Sequence, residues 1–384
     1  MVSEPELRSF WSLDPDVAFL NHGSYGATPT VVLHAQSELR RRLERNPVDF
    51  FGRRLSAMLA RAREAVAAFV GADPAGFVFV PNATTGVATV LANLELAPDD
   101  ELLVTDHTYP ACLNAVTKAA SARGARVVVA RVPFPGTTPE AVVDAILAAV
   151  TPKTRLALID HVTSPTALVF PIADIVNMLD ERGIDTLVDG AHAPGQVALD
   201  VGRLGAAYYA ANGHKWTCAP KGAGFLHVRA DRRAGFHPLV TSHGFARPLL
   251  PDETRFRAEH DWVGTDDPTA YLCWPISLDV LGALVPGGWP AIRARNHALA
   301  VTARDLLVAK LGGTPPAPDA MLGAMVAVPL VDGDAPALGE ALYTKERIEV
   351  PIVPWPAPPS RLVRVSCHLH TRESDLERLV AKIT

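Results

Sequence analysis

Residues 185–226 read DTLVDGAHAPGQVALDVGRLGAAYYAANGHKWTCAPKGAGFL, and two features of this stretch decide the fold. The strand-like DTLV runs straight into Asp189, and the apolar YYAA leads through Ala211-Asn212-Gly213-His214 into Lys215, ahead of the glycine-rich PKGAGFL. Both runs are continuously apolar rather than alternating, the pattern of strands covered on both faces. Asp189 and Lys215 therefore stand at or past the carboxyl ends of buried strands, where open α/β sheets hold their ligands. Taken singly, an Asp before Gly is an ordinary turn and a lysine after an apolar run is an ordinary solvated strand end.

The same texture extends through most of the chain. GFVFV, ELLVT, ARVVVA, RLALID, DTLVD, AAYYAA and GAGFLHV alternate with helix-like segments, with no repeat or low-complexity block between them. This predicts an α/β sandwich around a largely parallel central sheet. After about residue 285, PGGWPAIRARNHALAVTARDLLVAKLGG predicts a turn and an amphipathic helix, and AMVAVPL, IEVPIV and RLVRVSCHL predict a smaller α+β domain. The proline-rich PIVPWPAPPS reads as a rigid loop at the surface or the edge of a site. At 384 residues, 48% hydrophobic and 20% charged, the chain is long enough for two packed domains of ordinary soluble composition. A net charge of -5 gives no reason to expect nucleic acid or an anionic membrane as partner. Cys112, Cys218, Cys273 and Cys367 show neither CxxC spacing nor a disulfide framework. The N-terminal MVSEPELRSFWSLDP is too polar for a signal peptide, and no run reaches the apolar length of a membrane span, so a cytoplasmic location is expected.

Asp189 and Lys215 gain meaning together, with His192 and His214 beside them. Pyridoxal phosphate needs a lysine amine for its Schiff base and a carboxylate to keep its pyridine nitrogen protonated. DGAHAPGQ, NGHKW and PKGAGFL resemble the class V aminotransferase family of fold-type I pyridoxal phosphate enzymes, nearest its isopenicillin N epimerase-like branch, and the resemblance covers nearly the whole chain. It implies a large cofactor-binding domain over residues 21–285 with a mostly parallel seven-stranded sheet. It also implies a small α+β domain made from residues 1–20 and 286–384, and a homodimer with shared active sites.

The resemblance assigns roles residue by residue. Lys215 becomes the Schiff-base lysine and the base at the substrate Cα, Asp189 the partner of the pyridine nitrogen, and His192 a hydrogen-bond partner of the phenolic oxygen. His107 in VTDHTYPA becomes the ring-stacking histidine. For the phosphate, small and hydroxylated residues in PNATTGVATVLANL expose amides at a strand-to-helix turn, although a Thr there also serves as a plain N-cap. The family's phosphate cup maps onto Ala83, Thr84 and Thr85, with His214 as a further contact, and Gly264 and Thr265 reach the phosphate of the neighbouring subunit. Thr163, Ser164 and Thr166 in DHVTSPTALVFP either face the phenolic oxygen or cap the strand end. Arg364 in LVRVSCHL would grip the α-carboxylate with two parallel hydrogen bonds, and Asn21, His22 and Tyr25 in NHGSYGATP would line the substrate mouth. NPVDFF, residues 46–51, is a second branch marker whose aromatic pair also suits a core.

Two departures limit the analogy. Cysteine desulfurases carry a catalytic cysteine in the last quarter of the chain, and the segment from Gly312 to Pro351 has none, which argues against persulfide transfer. His368 and His370 alternate as strand residues would, and an HxH pair can bind metal, but the sequence offers no third convergent ligand. No metal is expected, and a changed pocket wall is the reading. Epimerisation of an amino acid in secondary metabolism, as in antibiotic biosynthesis, leads. C–S β-lysis of an S-substituted cysteine competes, with transamination or decarboxylating oxidative deamination behind, because fold and cofactor do not choose among them. A non-catalytic scaffold of the same fold is disfavoured by the joint presence of Asp189, Lys215 and Arg364.

Overall fold

The computed structural model describes residues 7–251 and 253–383. After a two-residue strand β1 (Ala18–Phe19), the seven apolar runs form β2 (Phe77–Val80), β3 (Glu101–Thr105), β4 (Arg126–Ala130), β5 (Thr154–Asp160), β6 (Asp185–Asp189), β7 (Tyr208–Asn212) and β8 (Gly224–Val228). They make one seven-stranded sheet in the order β2-β8-β7-β6-β5-β3-β4. Neighbours from β4 through β7 run parallel, and β8 is antiparallel to both β7 and β2. Along β5, Leu156 and Leu158 join the core on one face while Ala157 and Ile159 join the core on the other. That two-residue alternation between two apolar cores explains why the runs lack polar positions. Each fully buried Leu or Ile among them contributes roughly 1.5–3 kcal/mol.

The parallel strands β3, β5, β6 and β7 end together at Thr105, Asp160, Asp189 and Asn212, with Asp160 directly opposite Asp189 in the ladder. This edge carries the chemistry. Helix Ala83–Ala92 starts at the same edge, held tightly to β7: a Cβ on Gly86 would stand 2.8 Å from the Ala210 Cβ.

The second body holds β9 (Met325–Leu330), β10 (Ile348–Glu349), β11 (Ile352–Pro354) and β12 (Arg361–Ser366), with β11-β12-β9 antiparallel and β1 parallel to β10. Ala18 and Leu20 share a core with Val326, Val328, Val363, Val365, Leu376 and Leu379, so the N-terminal segment packs with the C-terminal strands. Two local expectations change. The first residues of PIVPWPAPPS are a strand, because Ile352 and Val353 pair with Val363 and Leu362. His368 and His370 lie in a turn beyond β12, closed by Thr371, whose N–H donates to the His368 carbonyl and whose hydroxyl accepts from the His368 N–H. Among the described residues no single helix is long and apolar enough to cross a membrane.

Candidate active site

Lys215 lies in the loop after β7 with its Nζ 2.9 Å from His192 Nε2. The Trp216 indole Nε1 is 3.3 Å from His192 Nδ1. An indole N–H can only donate, so Nδ1 accepts, and the neutral imidazole keeps its proton on Nε2. That proton points at Lys215, whose amine must then accept it as a free base. The electrostatics agree: burial holds His192 well below the ordinary histidine range, and burial followed by the Arg364 charge brings Lys215 down to about 7.

Asp189, 3% exposed, accepts the Ala191 N–H on Oδ1 at 2.9 Å and the Cys112 thiol on Oδ2 at 3.1 Å. Burial raises its pKa, while the two hydrogen bonds and Lys215 pull it back. Asp160, equally buried beside it, is raised well above the carboxylate range by burial and by Asp189. The pair therefore carries one charge more readily than two. Tyr109 and Thr108, in the turn after β3, act against the rise at Asp160, and the Asp160 Oδ2 is buried without a partner.

That turn corrects an expectation. His107 is fully buried, with Nδ1 bonded to Thr166 Oγ1 at 2.6 Å, Nε2 to the Val132 carbonyl at 3.1 Å, and Phe134, Phe170 and Trp355 packed around the ring. No face is free for stacking on a cofactor. Tyr109, 41% exposed and within electrostatic reach of Asp189 and Arg364, is the aromatic ring this turn turns towards the site. Thr163 is likewise occupied: its buried hydroxyl accepts the Leu168 N–H at 2.8 Å and pairs with Thr166 at 2.7 Å, so it caps the strand end.

Arg364 on β12 reaches the same space. Its Nη1 donates to the Ser164 carbonyl at 2.6 Å and Oγ at 3.1 Å, and its Nη2 donates to Ser24 Oγ at 3.0 Å. The side chain is buried, its Nε has no partner, and no carboxylate among the described residues pairs with it. Burial lowers its pKa to about 10, so it remains a cation at neutral pH. Tyr25 is 77% exposed, while Asn21 is half-buried. His22 does not line the mouth. It is fully buried, with Nε2 3.0 Å from the Lys215 carbonyl and Nδ1 3.0 Å from His370 Nε2.

The strand-to-helix turn after β2 is partly self-satisfied. Asn82 Oδ1 caps the Thr85 N–H at 2.9 Å, and Asn212 Oδ1 takes the Ala83 N–H at 2.8 Å. Thr84 alone of the three mapped residues is bound by neither side chain, so an anion here meets Thr84 first or displaces a cap. His214 is half-buried with Nδ1 3.0 Å from the Ala223 carbonyl and a pKa of about 4, set by burial and then by Lys215. Its Nε2 becomes a donor only when the ring is protonated, which a nearby phosphate would favour. Gly264 and Thr265 are exposed at the surface.

Sequence reading missed a histidine column beneath the lysine loop. His22 and His368 stack at 4.1 Å with planes 17° apart, and Cys218 Sγ lies 3.6 Å from His22 Nε2 and 3.7 Å from His368 Nε2. The convergent third group that the sequence did not offer is thus present, all of it buried. A metal binds along an imidazole lone pair, in the ring plane, and two near-parallel planes this far apart do not meet at one point. Both Nε2 atoms instead face carbonyls, those of Lys215 at 3.0 Å and Trp216 at 3.3 Å. The column supports the backbone that carries Lys215.

Comparison with known proteins joins this geometry to a family. The family model for aminotransferase class-V matches residues 19–379. The chain belongs to the class-V aminotransferase family. Isopenicillin N epimerase of Streptomyces clavuligerus is 35% identical, over 97% of this chain and 96% of that protein. The L-cysteine desulfhydrase of Arabidopsis thaliana is 30% identical, over 88% and 77%. Among solved structures, a cystine C–S lyase in complex with cysteine persulfide superposes with a TM-score of 0.80 at 24% identity, covering 96% of this chain and 97% of that one. The Escherichia coli cysteine desulfurase CsdA gives 0.82 at 21%, covering 100% and 98%. As a class-V enzyme the chain uses pyridoxal phosphate and acts on an amino acid.

The residues of this class-V site fit that cofactor. A free-base lysine, a buried carboxylate, an imidazole with its proton on Nε2, and a helix N-terminus of ten residues for the phosphate converge on one sheet edge. Trp216, Cys112, Asp160, Tyr109 and Ser24 are the additions that sequence reading did not make. Only Asp160 had a legible signal, since it ends the RLALID run as Asp189 ends DTLVD.

Proposed function

We propose that this enzyme exchanges the Cα proton of an α-amino acid and inverts that centre, an epimerase reaction. One arrangement carries the reading: Lys215, its amine brought down to about 7, and the buried Arg364, which no carboxylate pairs with among the described residues, lie within electrostatic reach of each other, supplying a base and an anchor for the two ends of an amino acid's Cα–carboxylate unit. Bound there, pyridoxal phosphate supplies an electron sink for charge developing at Cα. Lys215 takes the proton, and its lowered basicity matches the task near neutrality. Asp189 presents a carboxylate where the pyridine nitrogen needs its proton held, and His192 offers its Nε2–H to the phenolic oxygen. Ser164 and Ser24 hold Arg364 for the substrate carboxylate. The isopenicillin N epimerase relative supports inversion as the outcome, and a peptide-like amino acid of secondary metabolism as substrate.

C–S β-lysis is the second reading, favoured by the L-cysteine desulfhydrase relative. Persulfide transfer is less compatible, because all four cysteines are buried. Incubation in deuterated water with isopenicillin N and with S-substituted cysteines separates the readings. Inverted, Cα-deuterated amino acid supports epimerisation, whereas pyruvate and ammonia support lysis. Carbon dioxide would overturn both.

A homodimer is part of the proposal. Leu239, Val240, Phe245, Leu249, Leu250 and Val263 are exposed large apolar side chains in the stretch that also exposes Gly264 and Thr265. The proposed role of Gly264 and Thr265 is to reach the partner's phosphate. Sedimentation should give twice the chain mass, and Leu250→Glu should yield monomers that retain cofactor poorly. A wild-type monomer with full activity would refute shared sites.

A further inference from the structure

Resting on the reading of Arg364 as carboxylate anchor, we propose that Ser24, Asn21 and Glu349 form a one-way hydrogen-bond relay that makes the site select an ionised carboxylate over its neutral amide. The direction of each bond follows from the donor chemistry. Arg364 Nη2 can only donate, so Ser24 Oγ accepts it at 3.0 Å. The Ser24 hydroxyl proton then goes to Asn21 Oδ1 at 2.5 Å. The Asn21 amide donates in turn to Glu349 Oε1 at 2.9 Å. Every proton in the chain points away from the guanidinium, towards the carboxylate at its far end.

The consequence is electrostatic. A carboxylate placed directly on Arg364 would take its fork in two parallel bonds and leave a ligand nothing to compensate. A hydroxyl takes one N–H and leaves the positive charge in place. The relay connects Arg364 to an anion through two neutral groups, which fixes the direction of Nη2 without neutralising the cation. Among the described residues no acid pairs with this guanidinium, and its Nε is buried without a partner.

The relay also has a definite mechanical address. Arg364 is on β12, Glu349 on β10, and Asn21 and Ser24 follow β1, which pairs with β10. Asn21 bridges to Ser366 on β12. All members therefore sit on one body, while Ser164, which takes the other end of the guanidinium, follows β5 on the large sheet. Gly26 lets the Ser24 segment approach the lysine loop: its φ is 70°, and a Cβ there would stand 2.0 Å from the His214 carbonyl oxygen.

The test uses the cofactor-loaded enzyme and two probes that have no Cα proton, 2-aminoisobutyrate and its carboxamide, with dissociation constants read from visible absorbance. Wild type should prefer the acid by roughly a hundredfold, the scale of a charge-assisted pair. Ser24→Asp places an anion on Arg364 and should abolish the preference by weakening the acid alone. Ser24→Ala should weaken the acid about tenfold and leave the amide unchanged, as loss of one orienting bond predicts. Ser24→Thr keeps the hydroxyl and should retain the preference. The cofactor's visible band in the ligand-free protein checks that each variant is folded and loaded. A wild type indifferent to acid and amide would sink the anchor reading itself. A selective wild type whose Ser24→Asp and Ser24→Ala variants stay equally selective would sink only the relay.

Discussion

Lys215 is held as a weak base by burial and then by the Arg364 charge, and His192, oriented by the Trp216 indole N–H, turns its own N–H towards the amine. Its pKa of about 7 lies below the ordinary lysine value of 10.5, so the reactive neutral amine is lost only as pH falls through about 7. The rate at which apoprotein captures pyridoxal phosphate covalently should therefore rise with pH up to about 7 and level off above it. A rate that kept climbing towards pH 10 would mean an unperturbed lysine. Lys215→Ala should abolish turnover and give no borohydride-trapped adduct. Asp189→Asn keeps an acceptor for the Ala191 N–H but removes the charge. It should preserve the melting temperature and slow Cα-proton exchange by about 10²–10³-fold, the usual loss when one preorganised electrostatic partner is removed. Near-normal exchange would place the pyridine partner elsewhere.

At the scale of elements, the strands were legible because a sheet covered on both faces admits only apolar residues, and Asp189 and Lys215 stood out as the polar residues that end such runs. Which ring of the turn after β3 faces the site was not legible. His107 is drawn inward by Thr166 and the Val132 carbonyl, both distant in sequence, which leaves Tyr109 exposed. His22 escaped for the same reason, since its direction is set by His370, distant by 348 positions. The phosphate turn shows a local signal modified from afar: Asn82 caps its own helix, but Asn212 comes from β7. Because Gly86 lets that helix lie against β7, Gly86→Ala forces the Cβ into Ala210. The substitution should destabilise the fold by roughly 1–3 kcal/mol through overpacking. It should also weaken pyridoxal phosphate about tenfold while leaving unphosphorylated pyridoxal nearly unchanged, a displacement of one hydrogen-bond's worth at the anion end only. Equal weakening of both would show that the helix does not serve the phosphate.

Over the whole molecule, buried neutral histidines set the protein's response to acid, and three of them, His22, His368 and His370, cluster beneath the lysine loop. Eight of the thirteen histidines are buried, namely His22, His107, His161, His192, His227, His260, His368 and His370. Burial lowers the pKa of every one, to about 4 for His161, His227 and His368. The unfolded chain binds protons at the ordinary value of 6.5 and the folded chain does not, so stability is full above about 6.5 and falls as pH drops towards 4. Each such group removes up to about 1.4 kcal/mol per pH unit in that window. Asp160 and Asp189 act in the opposite sense, since their raised pKa values let the folded state hold protons the unfolded state has lost. His214 and Lys215, lowered to about 4 and about 7, act with the imidazoles, so the lowered bases outnumber the two raised carboxyls and stability falls as pH drops below about 6.5. Apoprotein should therefore unfold cooperatively between pH 6 and 4, roughly the window the buried imidazoles define. Replacing His368 by Gln, which keeps a donor for the Trp216 carbonyl without a titrating ring, should move the midpoint to lower pH. Circular dichroism against pH gives the measurement: an apoprotein midpoint below pH 4, or one that His368→Gln leaves in place, would show that the buried imidazoles do not govern acid unfolding.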